Sequence, residues 1–201
     1  MRVFPFRCKI RSRQRSLPMW RRTLFVMTCC SIVASADIGV LAMPADTTAS
    51  IQWKKGRETG LPIPRFVSLK AKNARMRVGP SQENPVKWLY TAPGLPVEII
   101  EEFGNWRQIR DCDGVSGWMH RSLLSGRRTA VIGPWIKTPV ALSRSASPSA
   151  QGIALLSAKV RLNITSCQGA WCRVVVPHHD LAGYVRRTAL CGIFPFETIP
   201  N

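Results

Sequence analysis

Seven side chains downstream of residue 36 could serve as nucleophiles, general bases or soft metal ligands: Cys112, Cys167, Cys172, Cys191, His120, His178 and His179. Cysteine–histidine catalysis requires a thiolate within hydrogen-bond reach of an imidazole that a third group orients. The cysteines fall at the ends of β-like runs or in turns, and no helix or nucleophile elbow stands ready to arrange the histidines. The sequence therefore predicts no catalytic residue. Cys167, Cys172, His178 and His179 match no common structural zinc spacing, and an oxidising compartment turns such thiols into disulfides first. Neither a metal nor a cofactor is expected.

The compartment is read from the amino terminus. Eight basic residues and no acid occupy the first 22 positions, an apolar run follows from Thr23 to Ala34, and Ala34-Ser35-Ala36 supplies a small-x-small site. That is a signal peptide over residues 1–36 in outline, which places the protein in the periplasm or outside the cell. The alternative is an uncleaved anchor over Thr23–Ala42, which would tether the chain to the inner membrane. The net charge of the 201 residues is +18. Without residues 1–36 the chain keeps 21 basic and all 11 acidic residues, a net charge of +10. Export removes nucleic acid as a partner and leaves anionic wall and membrane polymers as the local polyanions. Seven cysteines become an even four, which permits three full disulfide pairings.

Residues 37–64 are rich in Ala, Thr, Pro and Gly without sustained periodicity and read as a flexible leader. Beyond Arg65 come short β-like runs separated by Gly, Pro, Ser and Asn, so the expected class is all-β. In the first half, strands are expected near Ala74–Val78, Val86–Tyr90, Val97–Phe103, Trp106–Arg110 and Ser116–His120. A shift of 65 residues lays Met76 on Ala141, Trp88 on Ile153, Tyr90 on Leu155, Val97 on Leu162 and Gly104-Asn105-Trp106 on Gly169-Ala170-Trp171. At a shift of 66, Gly117-Trp118 meets Gly183-Tyr184 and Arg121 meets Arg187. Two copies of one unit account for this. The alignment also sets Cys167 and Cys172 on Glu102 and Arg107. Residues flanking a short hairpin loop face each other, so a Cys167–Cys172 disulfide is expected in one copy and a charge pair in the other. Cys112 and Cys191 are left either to pair between the units or to remain thiols.

Ala74-Arg75-Met76-Arg77-Val78-Gly79-Pro80-Ser81, Gly104-Asn105-Trp106-Arg107 and Gly117-Trp118-Met119, in that order, resemble the motifs of the bacterial SH3 (SH3b) family. Gly169-Ala170-Trp171-Cys172-Arg173-Val174 and Gly183-Tyr184-Val185 repeat the last two, whereas Val140 to Ser147 departs from the opening motif. The resemblance implies two consecutive small SH3-like β-barrels, residues 65–133 and 134–196, followed by a tail at 197–201. It also implies a non-catalytic binding or targeting role, often toward cell-wall peptides.

The aromatic residues divide between core and ligand surface. Trp106 and Trp171 repeat in register and are expected in the two cores. Trp88 has no aromatic counterpart and follows the long loop from Gly79 to Pro85, so Trp88, Tyr90 and Trp118 are the expected ligand surface. The partner would be a cell-wall peptide or an envelope protein; a membrane-tethered scaffold without a small ligand is the second reading. The mature chain is expected to begin near Asp37, which an intact mass of envelope-purified protein checks. Recovery of the Met1–Ala36 segment would instead establish the anchor.

Overall fold

The computed structural model describes residues 53–200, so the expected signal segment and cleavage near Ala36 lie outside the described residues. Within them, alternating apolar and polar residues stopped by turn formers fold as strands. The helical content is two single 3-10 turns, Arg121–Leu123 and Arg187–Ala189.

A two-stranded hairpin of β1 (Lys54–Lys55) and β2 (Pro62–Ile63) comes first. One seven-stranded antiparallel sheet follows, made of β3 (Arg65–Leu69), β4 (Ala74–Arg77), β5 (Val86–Tyr90), β6 (Pro96–Phe103), β7 (Trp106–Arg110), β8 (Ser116–His120) and β9 (Leu124–Ser125). The second comprises β10 (Thr129–Ile132), β11 (Val140–Ser143), β12 (Gly152–Leu156), β13 (Arg161–Gln168), β14 (Trp171–Val176), β15 (Leu181–Arg186) and β16 (Leu190–Cys191). Their strand orders, β5-β4-β8-β7-β6-β3-β9 and β12-β11-β15-β14-β13-β10-β16, are the same strand for strand. Each sheet curls around its own core, Leu69, Met76, Val97, Ile99, Ile109 and Met119 in the first and Leu142, Leu156, Leu162, Val174 and Val185 in the second. The all-β class follows as expected. Strand β10, which a boundary at residue 133 assigns to the first unit, pairs with β13 and β16 of the second sheet.

Strand register corrects the repeat at its start. Met76 faces Trp88 and Ala74 faces Tyr90, while Leu142 faces Ala154 and Val140 faces Leu156. Met76 and Leu142 are both fully buried. Counterparts here are 66 residues apart, so Met76 corresponds to Leu142 and Trp88 to Ala154, not to Ala141 and Ile153. A slip of one residue exchanges the two faces of a strand, and only burial decides between neighbouring apolar residues such as Ala141 and Leu142. In the β6–β7 and β13–β14 hairpins the spacing of 65 holds: after matching bulges, Glu102 faces Arg107 and Cys167 faces Cys172.

That rung is where the terminal segments attach. Glu102 is 1% exposed. Its carboxylate accepts hydrogen bonds from Arg65 Nη2 (2.7 Å), Thr59 Oγ1 (2.8 Å) and the backbone N–H groups of Glu58 and Thr59 (2.9 Å each), and Arg107 Nε lies 3.5 Å away. Gly56 completes the cradle, since a Cβ there would sit 2.5 Å from Glu102 Oε2. The expectation of a flexible leader up to residue 64 is thus corrected over residues 54–63, which form a hairpin docked on a buried carboxylate. No hydropathy pattern marks such a contact, because one charged residue across the fold makes it. In the second sheet Cys167 and Cys172 are disulfide-bonded, Cα atoms 4.1 Å apart. The backbone of Cys167 exchanges two hydrogen bonds with Ile199 (2.8 and 3.1 Å). Buried Arg187 donates to the carbonyls of Phe194, Pro195 and Glu197, and the Glu197 carboxylate pairs with Arg128, so the tail is bound as well.

The sheets are joined by a second disulfide, Cys112–Cys191 (Cα–Cα 6.0 Å), by a Lys159–Asp113 ion pair (3.0 Å) and by Arg161 donating to the Pro93 carbonyl. Phe194 packs on both Trp53 and Phe66 (centroids 5.0 and 4.7 Å).

Two stability predictions follow from these contacts. Burial pushes the Glu102 carboxyl up, but the hydrogen bonds from Arg65, Thr59 and the Glu58 and Thr59 amides outweigh it and hold the group at about 2, below its ordinary 4.5. A depressed carboxylate stabilises the fold above its unfolded value and loses that contribution as pH falls toward its folded value. Glu102→Gln is therefore expected to cost about 3 kcal/mol at neutral pH, and its deficit relative to wild type should shrink between pH 4.5 and 2 in denaturant melts. The Cys112→Ser/Cys191→Ser pair opens a link spanning 79 residues. On loop-closure entropy its loss should cost about 4 kcal/mol, read from the shift of the urea midpoint.

Candidate functional site

The site begins at a strand crossing. β4 and β8 share one rung, Arg77↔Trp118, and β11 and β15 share one, Ser143↔Tyr184. At the crossing a Cβ on Gly117 would lie 2.7 Å from the Arg77 carbonyl oxygen and 2.8 Å from Met76 Cγ. On Gly183 it would lie 2.7 Å from the Ser143 carbonyl oxygen and 2.9 Å from Leu142 Cγ. Glycine alone lets two backbones approach this closely. Past the single rung the strands part, and the gap is a cleft on the outer face of each sheet.

In the first sheet this cleft, about 310 Å³, is lined by Asn73, Arg75, Arg77, Gln82, Trp106 and His120, with Ser122 at its end. His120 faces Trp106 across the β7–β8 rung, and their rings meet edge to face at 5.5 Å. His120 Nδ1 accepts from the Ser122 amide (3.4 Å) and lies 2.8 Å from Ser122 Oγ, an arrangement that leaves Nε2 as the ring's donor. Arg77 Nη1 donates to the Asn84 carbonyl (2.5 Å) and so ties the β4–β5 loop beside the cleft, while Arg75 is exposed. Two guanidinium groups, an imidazole donor and an aromatic wall suit an extended ligand that carries carboxylates and a face to stack.

The expected ligand residues are partly dispersed. Trp88 is 44% exposed on β5, the edge strand of its sheet, where Val86 and Leu89 are exposed as well. Tyr90 lies beside Trp88 (6.5 Å) but is only 7% exposed, and its hydroxyl donates to Asp111 Oδ2 at 2.8 Å. Burial first and the Asp111 carboxylate second push its phenol far above the ordinary value. Tyr90 is thus a core residue with a satisfied hydroxyl. Trp118 stands on the opposite, outer face, between Arg77 and Gln108 in the ladder. The structure brings Trp88 and Tyr90 together and separates both from Trp118.

Trp106 and Trp171, expected in the cores, are half-buried cleft walls. Alternation requires it. Arg107 and Ile109 face inward on β7, and Cys172, Val174 and Val176 face inward on β14, so the preceding tryptophan in each strand faces out. The cleft residues Arg75, Arg77, His120 and Ser122 were not singled out from the sequence. Their signal was present in Ala74-Arg75-Met76-Arg77, whose period of two puts both arginines on the face opposite Met76. Among the described residues no three His, Cys, Asp or Glu side chains gather as a metal site, and Cys112, Cys167, Cys172 and Cys191 are all in disulfides. No helix among them is long and apolar enough to cross a membrane.

Residues 70–126, spanning β4 to β9, match the family model of the bacterial SH3 domain. No curated protein sequence matches the chain. Among solved structures the chain is similar to an NlpC/P60 family protein from Bacillus cereus, with 13% identity, over 63% of this chain and 55% of that one, at a TM-score of 0.29. The chain thus spans little more than half of that protein, and so loose a likeness defines neither fold nor activity.

The crossing gives a direct test. Gly117→Ala is expected to cost about 1–3 kcal/mol through overpacking. Gly126, which has nothing within 4 Å of an added Cβ, should accept alanine without loss. Thermal melts of the two variants compare them.

Proposed function

We propose that the chain is an exported, non-catalytic module that binds cell-wall peptides or acidic segments of envelope proteins through the outer face of its bacterial SH3 domain. The observation that carries this reading is the cleft itself, in which Arg75, Arg77 and His120 gather cationic and donor groups around the edge of Trp106. Wall peptides are extended and carry free carboxylates, and a net charge of +10 on residues 37–201 concentrates such polyanions near the surface. Two disulfides fit an oxidising compartment and leave no thiol nucleophile among the described residues. The second sheet, with its identical strand order, is read as a second copy of the same domain. Exposed Val86, Trp88 and Leu89 support a protein contact along β5, since an edge strand with exposed aromatic and aliphatic side chains accepts an added strand.

Calorimetric titration of the protein with solubilised wall peptides tests the reading. Arg75→Gln and Trp106→Ala should each weaken binding at least tenfold, about 1.4 kcal/mol, while neither residue is a core member whose loss unfolds the domain. Trp88→Ala should leave wall-peptide affinity intact and reduce capture of envelope proteins. Unchanged affinity in both Arg75→Gln and Trp106→Ala would rule out the cleft as the ligand site.

A further inference from the structure

The second sheet has a cleft at the equivalent crossing, about 370 Å³, with different chemistry. Trp171 keeps the place of Trp106, Thr188 that of Ser122 and Ala189 that of Leu123, but the two arginines of β4 are replaced by Ala141 and Ser143 on β11. The cation has moved across the gap: where His120 faces Trp106, exposed Arg186 faces Trp171 and lies 5.0 Å over its ring. Ile136, Val140 and Pro148 make the remaining wall aliphatic.

A guanidinium held over an indole through its ring face still has N–H groups to offer, and its planar fork can take a carboxylate bidentately. One such edge beside aliphatic walls matches one negative charge attached to a short apolar segment. It does not match a polyanion, whose further charges would be desolvated against Val140 and Ile136 without partners. Ser143 and Thr188 line the same cleft and provide hydroxyls for peptide amides. The β11–β15 ladder has its single rung at Ser143, so the β11 backbone toward Val140 has no partner on β15. The volume is at the small end of the roughly 300–1,000 Å³ range of ligand pockets.

From these features we infer that the second cleft is a separate binding site for the carboxyl terminus of a peptide ending in small aliphatic residues. Arg186 takes the terminal carboxylate, Trp171 fixes the guanidinium plane, and the Val140–Ile136 wall receives the aliphatic side chains. This site lies outside the bacterial SH3 match and its ligand chemistry differs from that of the first cleft.

The test is a titration of the isotope-labelled protein with acetyl-Ala-Ala bearing a free carboxylate, and in parallel with its carboxamide, following the Trp171 indole and Arg186 side-chain N–H signals by NMR. A saturable shift of both signals is expected with the acid, and at least tenfold weaker binding with the amide. Arg186→Gln should abolish the shift and Arg186→Lys should leave it weaker, because the lysine retains charge but not the fork. Exposure of Arg186 makes folding of these variants the expectation, and dispersion of the backbone signals reports it. Equal binding of acid and amide, a shift that survives Arg186→Gln, or no saturation by about 10 mM would overturn the inference. Perturbation confined to Trp106 and His120 would also overturn it while leaving the proposed role of the first cleft standing.

Discussion

Each sheet turns on the crossing of two strands at a residue without a side chain. At Gly117 the β8 backbone passes so near the Arg77 carbonyl and the Met76 side chain that even a methyl group is excluded, and Gly183 stands in the same relation to Ser143 and Leu142. This approach brings Met76 and Leu142 over their cores, around which each sheet of short strands curls. It also limits the ladder to one rung, so the strands diverge immediately beyond it. Closure of the core and opening of the cleft are therefore two results of one contact, and a cleft at this position accompanies each sheet whatever residues line it.

A second position has the same geometric demand in both sheets and two chemical answers. The rung after the bulge faces inward at the end of the first long hairpin, where Glu102 meets Arg107 in one sheet and Cys167 meets Cys172 in the other. A carboxylate buried there would be untenable alone, and it is made tolerable by Arg65, Arg107 and three donors from residues 58–59. The disulfide requires no such donors; its rung uses backbone amides to bind Ile199 instead. The amino-terminal hairpin is thereby recruited by a charge and the carboxy-terminal tail by a β-bridge. Each covers the end of a hairpin that would otherwise expose polar groups of its own.

Much of this was legible in the residues. The five strands expected in the first unit appear within one residue of their sequence bounds, because each alternates cleanly between turn formers. β3 and β9 were not anticipated, since Arg65–Leu69 and Leu124–Ser125 pair only with distant partners and β9 is too short to show a period. The rung shared by Glu102–Arg107 and Cys167–Cys172 was readable because two hairpins of equal loop length align without ambiguity. Trp106 and Trp171 were misplaced for a different reason: large aromatic residues repeating in register suggest a core, yet Cys172, Val174 and Val176 already claim the inner face of the same strand. Tyr90 was misplaced because its exposure depends on Asp111, a residue on another turn that no local pattern connects with it.

The bond between Cys112 and Cys191 gives the two sheets a relation that their short connection would not. Residues 126–128 between β9 and β10 form a brief linker, and small domains joined this way ordinarily reorient. Here the disulfide joins the β7–β8 turn of one sheet to the edge strand β16 of the other, and Lys159–Asp113, Arg161–Pro93 and the Phe66–Phe194 contact act beside it. On the proposed reading this rigidity bears on binding. Two clefts of different chemistry held on one body let a ligand that engages both lose its translational freedom once, and no ordering of one domain against the other is added at the second contact. Clefts that reorient freely would gain less, because ordering one domain against the other would oppose the second contact. On that reading the covalent link between the sheets would raise the affinity of a partner long enough to reach both.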